Sequence, residues 1–207
     1  MFCFIRVSFD AAIKAILLLL LGFLLLQLSG CATVPPPKHK ENACSIFRQY
    51  PDWYKSAIRA EKRWGAPMNV TMAIMYQESG FVADSKPPRK KILWIIPWKR
   101  PSTSYGYSQA TNGSWHTYKD LTHSHFVSRD KFKDAIDFIG WYINQAHRQL
   151  GICKSNAYDL YLAYHDGIKG YSQGSYKNNK WLKNVAKQVE RRALTYEQQL
   201  EKCCKSI

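Results

Sequence analysis

The chain has 207 residues, enough for one domain of ordinary size with extra segments. Its net charge of +15 fits an acidic partner such as nucleic acid, anionic cell wall or an anionic membrane surface, or a basic face that is simply solvated. The 6 cysteines include no CxxC pair, which argues against a structural zinc site, and His123-Ser124-His125 reads as a polar loop rather than a metal pair.

At the N-terminus, Arg6 and Lys14 precede the apolar run AILLLLLGFLLLQL. The run has the length of a signal-peptide core and falls short of the ~18 residues a spanning helix needs, so export is the reading, with an uncleaved anchor as the alternative. It ends in Leu28-Ser29-Gly30-Cys31, which resembles the bacterial lipobox. That resemblance implies a lipoprotein signal peptide over 1–30, cleavage before Cys31 and a lipid on that cysteine. Ala32 in the next position is similar to the outer-membrane sorting pattern of such proteins. The implied location is lipid-anchored and periplasm-facing, on the outer membrane of a Gram-negative bacterium. Losing Arg6, Lys14 and Asp10 with the signal lowers the charge by one, to +14. Export also removes nucleic acid from the partners, leaving the cell wall or the membrane surface.

Residues 32–43, ATVPPPKHKENA, carry three prolines and are expected to form an extended tether over 31–43, with the folded domain spanning 44–207. Cys3 leaves with the signal and Cys31 takes the lipid. Cys44, Cys153, Cys203 and Cys204 then remain in an oxidising compartment. Adjacent cysteines bond to each other only through a strained ring, so Cys203 and Cys204 are expected to reach separately back to Cys44 and Cys153. Each bond would stabilise the domain by roughly 2 to 4 kcal/mol.

Asp52 is a candidate cap for a helix running to Trp64, with Tyr54, Ala57, Ile58 and Trp64 on one stripe and Gly65 as its stop. Asn69 is a candidate cap for the next, whose apolar face is Val70, Ala73, Ile74 and Met75, with Gly80 ending it. From residue 128 to 151, Phe132, Ile136, Ile139, Ile143, Ala146 and Leu150 recur at spacings of four and three, which predicts a long helix. A short helix is expected over about 156–165. The last, after Asn179, puts Leu182, Val185, Ala186, Val189, Ala193, Tyr196 and Leu200 on one face. Almost no segment alternates with period two and no internal repeat is evident. The fold class is therefore mainly α, one helical domain with a loop-rich or small β lobe between Phe81 and Gln109.

Glu78 breaks the apolar pattern. Val70, Ile74 and Glu78 are four residues apart, so the carboxyl projects from the apolar side of its helix. Partial desolvation there disfavours the charged form and raises the pKa, and a carboxyl kept protonated near neutral pH can act as a general acid. The plainer alternative is a solvated glutamate at a frayed helix end.

Three short motifs follow in order: Glu78-Ser79-Gly80-Phe81, then Gly106-Tyr107-Ser108-Gln109, then Ala163-Tyr164-His165-Asp166-Gly167. In that order and spacing the chain resembles the lytic transglycosylases of the soluble lytic transglycosylase family, whose signatures read roughly ESGF, GLMQ and AYNxG. The resemblance runs from about Trp53 to Val189 and implies a lysozyme-like domain that cleaves peptidoglycan glycan strands without a cofactor or metal. It also implies that Glu78 is the single catalytic acid/base. Ser79 belongs to the same signature, Gly106 permits a tight backbone, and Gln109 faces the sugar. Tyr164 matches the tyrosine that hydrogen-bonds near the glutamate and orients it. The helix from Phe132 to Leu150 falls where the family has a core helix behind the cleft.

Two places depart from the family pattern. Tyr107 and Ser108 replace Leu and Met, which reshapes the sugar-facing wall, and His165 replaces Asn, either as another hydrogen-bond donor or as a group titrating in the cleft. One carboxylate suffices in this chemistry because the second nucleophile belongs to the substrate, the hydroxyl on carbon six of N-acetylmuramic acid. Ordinary glycosidases use two carboxylates. Asp84 and Asp166 are rival second acids, so a hydrolytic lysozyme-type muramidase stays open, as does an inactive peptidoglycan-binding lipoprotein. Asp166-Gly167 also reads as turn chemistry. The motifs leave open service in wall turnover, division or assembly of a secretion machine.

Residues 86–103 bracket ILWIIPW with Arg89, Lys90, Lys91, Lys99 and Arg100. This insert is either a basic, aromatic lip for wall strands or membrane, or a small subdomain in which Leu93, Trp94, Ile95, Ile96 and Trp98 pack over the cleft. Tyr105, Trp115 and Tyr171 are further candidate sugar-stacking rings, and Tyr107 is the preferred one because it lies inside a motif.

Overall fold

The computed structural model describes residues 13–19, 33–89, 91–92, 96–97 and 100–203. The chain divides into two units, Met1–Val34 and Pro35–Ile207. In the first, residues 13–19 are helical and exposed. Cys31 and the lipobox lie outside the described residues, and among those described no helix is long and apolar enough to cross a membrane.

The second unit is mainly helical. Helix α1 (Ala43–Gln49) is capped by Asn42, whose side chain accepts from the Ser45 amide at 2.9 Å. Helix α2 (Pro51–Trp64) starts on Pro51, where a missing amide proton costs nothing, and stops at Gly65 with φ 64°. Asp52 lies inside its first turn rather than capping it. Helix α3 (Met68–Ser79) follows Pro67 and ends at Gly80, φ 56°. The expected cap Asn69 sits within α3 and donates from Nδ2 to the Ala193 carbonyl at 3.2 Å.

Helix α3 is buried on nearly every side over Met68–Met75, because it is the centre of the bundle. It packs against α2, α5 (Phe132–Leu150), α6 (Ala157–Ser172) and α7 (Lys180–Cys203). Helix α5 carries the predicted stripe and packs on α2. There Trp53 stacks on Phe132 with ring centroids 4.1 Å apart, and Tyr107 meets both rings edge-on. Helix α7 buries all seven residues of its predicted face. Helix α6 is broken by Gly167, φ 78°, so its first segment ends where the short helix was expected.

Between the first two motifs lie β1 (Lys91–Ile92) and β2 (Ile96–Pro97), antiparallel, with Lys91 opposite Pro97 and Ile92 opposite Ile96. The Arg100 guanidinium donates to the Pro87 carbonyl across the base of this hairpin. Lys90, Leu93, Trp94, Ile95, Trp98 and Lys99 lie outside the described residues. Helix α4 (Asn112–Thr122) follows, capped by Thr111, and buries only Trp115 and Tyr118.

One expectation needs correction. The segment read as a tether is docked from Pro35 onward. Tyr50 donates its hydroxyl proton to the Pro35 carbonyl at 2.7 Å, the Lys38 amide donates to Gln49 Oε1 at 3.0 Å, and Gln199 donates from Nε2 to the Glu41 carbonyl at 3.1 Å. Cys44 and Cys203 form a disulfide that ties α1 to the end of α7, as the first half of the expected pairing has it. Cys153 is exposed, beside the Ser155 hydroxyl, with no disulfide partner among the described residues, and Cys204 lies outside them.

Candidate active site

The three motifs meet at the C-terminal end of α3, where they are knitted together by hydrogen bonds to backbone carbonyls. Ser79 donates its hydroxyl proton to the Tyr107 carbonyl at 2.7 Å, joining the first motif to the second. Tyr164 donates to the Ser108 carbonyl at 2.6 Å, joining the third to the second. Gly106, φ 77°, is needed because a Cβ there would meet the Arg129 carbonyl oxygen at 2.1 Å. Gln109, also at positive φ, donates from Nε2 to the Ser85 and Gly106 carbonyls at 2.9 and 2.8 Å, which fixes its amide.

These ties frame a cavity of about 390 Å³. Glu78, Gln109, Tyr164 and His165 line it, with Tyr142 from α5 as an aromatic wall and the buried Phe138 behind it. Ser102, Ser104, Thr111 and Ser114 add hydroxyls opposite in character to that wall. Such a mixture of flat apolar faces and short hydroxyls suits a sugar, which presents both kinds of surface. Among the described residues lining it, Glu78 is the single carboxylate.

Glu78 keeps a partial opening to solvent while protein atoms crowd its carboxyl. That burial pushes its pKa up to about 7, against a hydrogen bond from Tyr161 that favours the charged form. The side chain bonded to Glu78 is thus Tyr161, not the Tyr164 that the motif points to. Tyr164 is a near neighbour whose hydroxyl is already committed to Ser108, and burial followed by the Glu78 charge raises its pKa. Tyr161 precedes Tyr164 by one helical turn, so both face α3, and that i, i+3 spacing was the available signal.

Neither rival acid lines the cavity. Asp84 is exposed. Asp166 accepts from Ser175 at 2.5 Å and lies 2.9 Å from His165 Nδ1. Burial pushes the Asp166 carboxyl up, but those two partners outweigh it and hold it below the ordinary range.

The aromatic expectations fare differently. Tyr107 is 1% exposed and belongs to the core with Trp53 and Phe132, so it offers no face to a sugar. Trp115 is also buried, Tyr171 stacks on Tyr176, and Tyr105 pairs with Lys86 and Arg129. The rings at the cavity that keep some exposure are Tyr142, Tyr164 and His165, while Phe138, buried like Tyr107, backs them. Ser108 replaces a bulky apolar motif residue, and its buried hydroxyl has no hydrogen-bond partner among the described residues. Among those residues no group of three or more His, Cys, Asp or Glu is placed to hold a metal ion.

A mainly helical domain with one desolvated glutamate at the end of its central helix is lysozyme-like in architecture. The family described as transglycosylase SLT domain matches residues 18–203, and the chain belongs to that family. No curated protein matches the chain.

Proposed function

We propose that the protein is a peptidoglycan lytic transglycosylase that cleaves the β-1,4 bond between N-acetylmuramic acid and N-acetylglucosamine. Family membership supports transglycosylase-type action on peptidoglycan in general, and the cavity supports the finer mechanism. The observation that carries it is that Glu78 is the single carboxylate among the described residues lining the cavity, with a pKa pushed up to about 7, near neutral pH.

Protonated Glu78 donates to the glycosidic oxygen as the bond from carbon one to that oxygen breaks. The hydroxyl on carbon six of the same N-acetylmuramyl ring then attacks carbon one. Its proton passes to the Glu78 carboxylate, which regenerates the acid. The products are a 1,6-anhydro end and a free hydroxyl on the departing sugar, with no water consumed. A pKa near the working pH suits a group that must give and then take a proton. Tyr161 holds the carboxyl, Gln109 and His165 are placed to contact the sugar, and Ser79, Gly106 and Tyr164 position the walls. Within this proposal the chain is anchored through a lipid on Cys31 and faces the periplasm from the outer membrane, where its basic surface meets the anionic wall.

Mass spectrometry of fragments released from purified peptidoglycan by the full chain, beside Glu78→Gln, tests this reading. Anhydro-muropeptides, lost in the variant, are expected. Reducing-end products would replace the mechanism with hydrolysis, and no fragments from either protein would leave a binding lipoprotein.

A further inference from the structure

The cavity of about 390 Å³ is at the small end of sites that enclose a small molecule, so a polymeric glycan seated at Glu78 must continue across its rim. His165 is part of that lining and is itself exposed. Beside it, in the first turn of α7, stands Trp181, whose ring meets the His165 ring at 5.7 Å between centroids and 64° between planes. Trp181 is 62% exposed, whereas Trp53, Trp115 and Trp141 are buried in the core.

Exposure alone would mean little, since Leu121 and Phe126 are as exposed, but Trp181 differs from them in touching a ring that lines the cavity. The neighbourhood is also held by side-chain hydrogen bonds. His165 is held through Nδ1 by Asp166, and Asp166 is held in turn by Ser175. Gly167, in the left-handed half of backbone space, turns the chain directly after Asp166, and residues 173–179 carry it round to α7. The histidine ring thus links the indole to the cavity lining.

We propose that Trp181 is a stacking platform for an N-acetylhexosamine ring of the glycan strand outside the cavity, and that His165, held by Asp166, bridges platform and cavity. The inference rests on the glycan-cleaving reading. A pyranose ring presents a face of C–H groups, and the negative face of an indole attracts that slightly positive surface while both lose water. Asp166, a candidate second acid by sequence, here has a positioning role.

The test uses the full chain in detergent micelles carrying Glu78→Gln, so that nothing is cleaved, titrated calorimetrically with the N-acetylglucosamine hexamer and dimer. Trp181→Ala is expected to weaken the hexamer roughly three- to tenfold, the range of one aromatic contact, while the dimer is unaffected. Trp181→Phe keeps a flat face and should retain hexamer affinity within about twofold. Unchanged hexamer affinity in the alanine variant would overturn the platform. So would an equal loss for hexamer and dimer, or failure of the protein with Trp181 intact to bind the hexamer. These outcomes are separate from the fragment assay: anhydro products from a protein whose hexamer binding ignores Trp181 sink the platform alone, and a Trp181-dependent hexamer without any fragments sinks the catalysis alone.

Discussion

Glu78 and Asp137 are two shielded acids in opposite circumstances. Asp137, on α5, accepts three hydrogen bonds: from Tyr118 at 2.7 Å, from the Trp64 indole at 3.0 Å and from Arg63 at 3.0 Å. Glu78 has one tyrosine hydroxyl for a side-chain partner and a cavity in front of it. Asp137 spends its acceptors on joining α2, α4 and α5, so its oxygens are unavailable to a substrate. Glu78 is left under-satisfied, and the resulting preference for the protonated form is what a general acid needs. Phe138, the residue after Asp137, backs the cavity wall, so the structural acid and that wall share one helix.

The sharpest way to break this contrast is Glu78→Gln, which keeps shape and removes the titrating proton. Glycan release is expected to fall roughly 10²- to 10⁴-fold, measured as anhydro-muropeptide yield per unit time. The same variant should be more stable than the parent at high pH. The native carboxyl holds its proton between the ordinary value of 4.5 and about 7 while the unfolded chain has lost it, so parent stability falls as pH rises through that window. Above it the parent carries a desolvated charge that glutamine lacks, a difference of up to roughly 3 kcal/mol at pH 8 that vanishes near pH 4. Urea unfolding of both proteins at the two pH values reads it directly. A constant difference would mean that the carboxyl is solvated after all.

Asp137→Ala is predicted to do the reverse. It strands the donors of the partly buried Trp64 and the buried Tyr118 and should cost roughly 2 kcal/mol, while glycan release per folded molecule is kept. Asp137→Asn retains an acceptor oxygen and should lose about half as much. A selective loss of activity without loss of stability would place Asp137 with the chemistry instead.

Long periodic elements were legible from the chain: α5 and α7 carry stripes that a 3.6-residue period makes unambiguous. Helix α1 has 7 residues, too few to display a period, and α4 buries only Trp115 and Tyr118, so its pattern is drowned by polar neighbours. Glu78 was readable as an acid on an apolar stripe because helix spacing alone puts it there. Tyr107 was misread because an aromatic ring suits a sugar and a core equally well. Its direction is set by Gly106 pressing against Arg129 and by Trp53 and Phe132, contacts between residues far apart in the chain. Half of the disulfide reading rests on the same kind of distance: Cys44 and Cys203 meet only because α1 and α7 pack together.

Tyr161 sharpens the comparison by the smallest step. Its hydroxyl is the one group that draws Glu78 back toward the charged form, and its own pKa is raised by burial and then by the Glu78 charge, so it stays a donor across the working range. Tyr161→Phe removes that bond without emptying the site. The Glu78 pKa should then climb above about 7, and the high-pH fall in kcat/KM, which follows loss of the proton, should move to higher pH by roughly one unit or less, the net worth of one hydrogen bond. At pH 5, where Glu78 is protonated in both proteins, any remaining deficit measures how much the hydroxyl aims the carboxyl. A profile that keeps its midpoint and only drops in height would assign Tyr161 to orientation alone. A profile that shifts without dropping would make it solely the brake that keeps Glu78 from becoming as inert as a buried carboxylic acid with no partner.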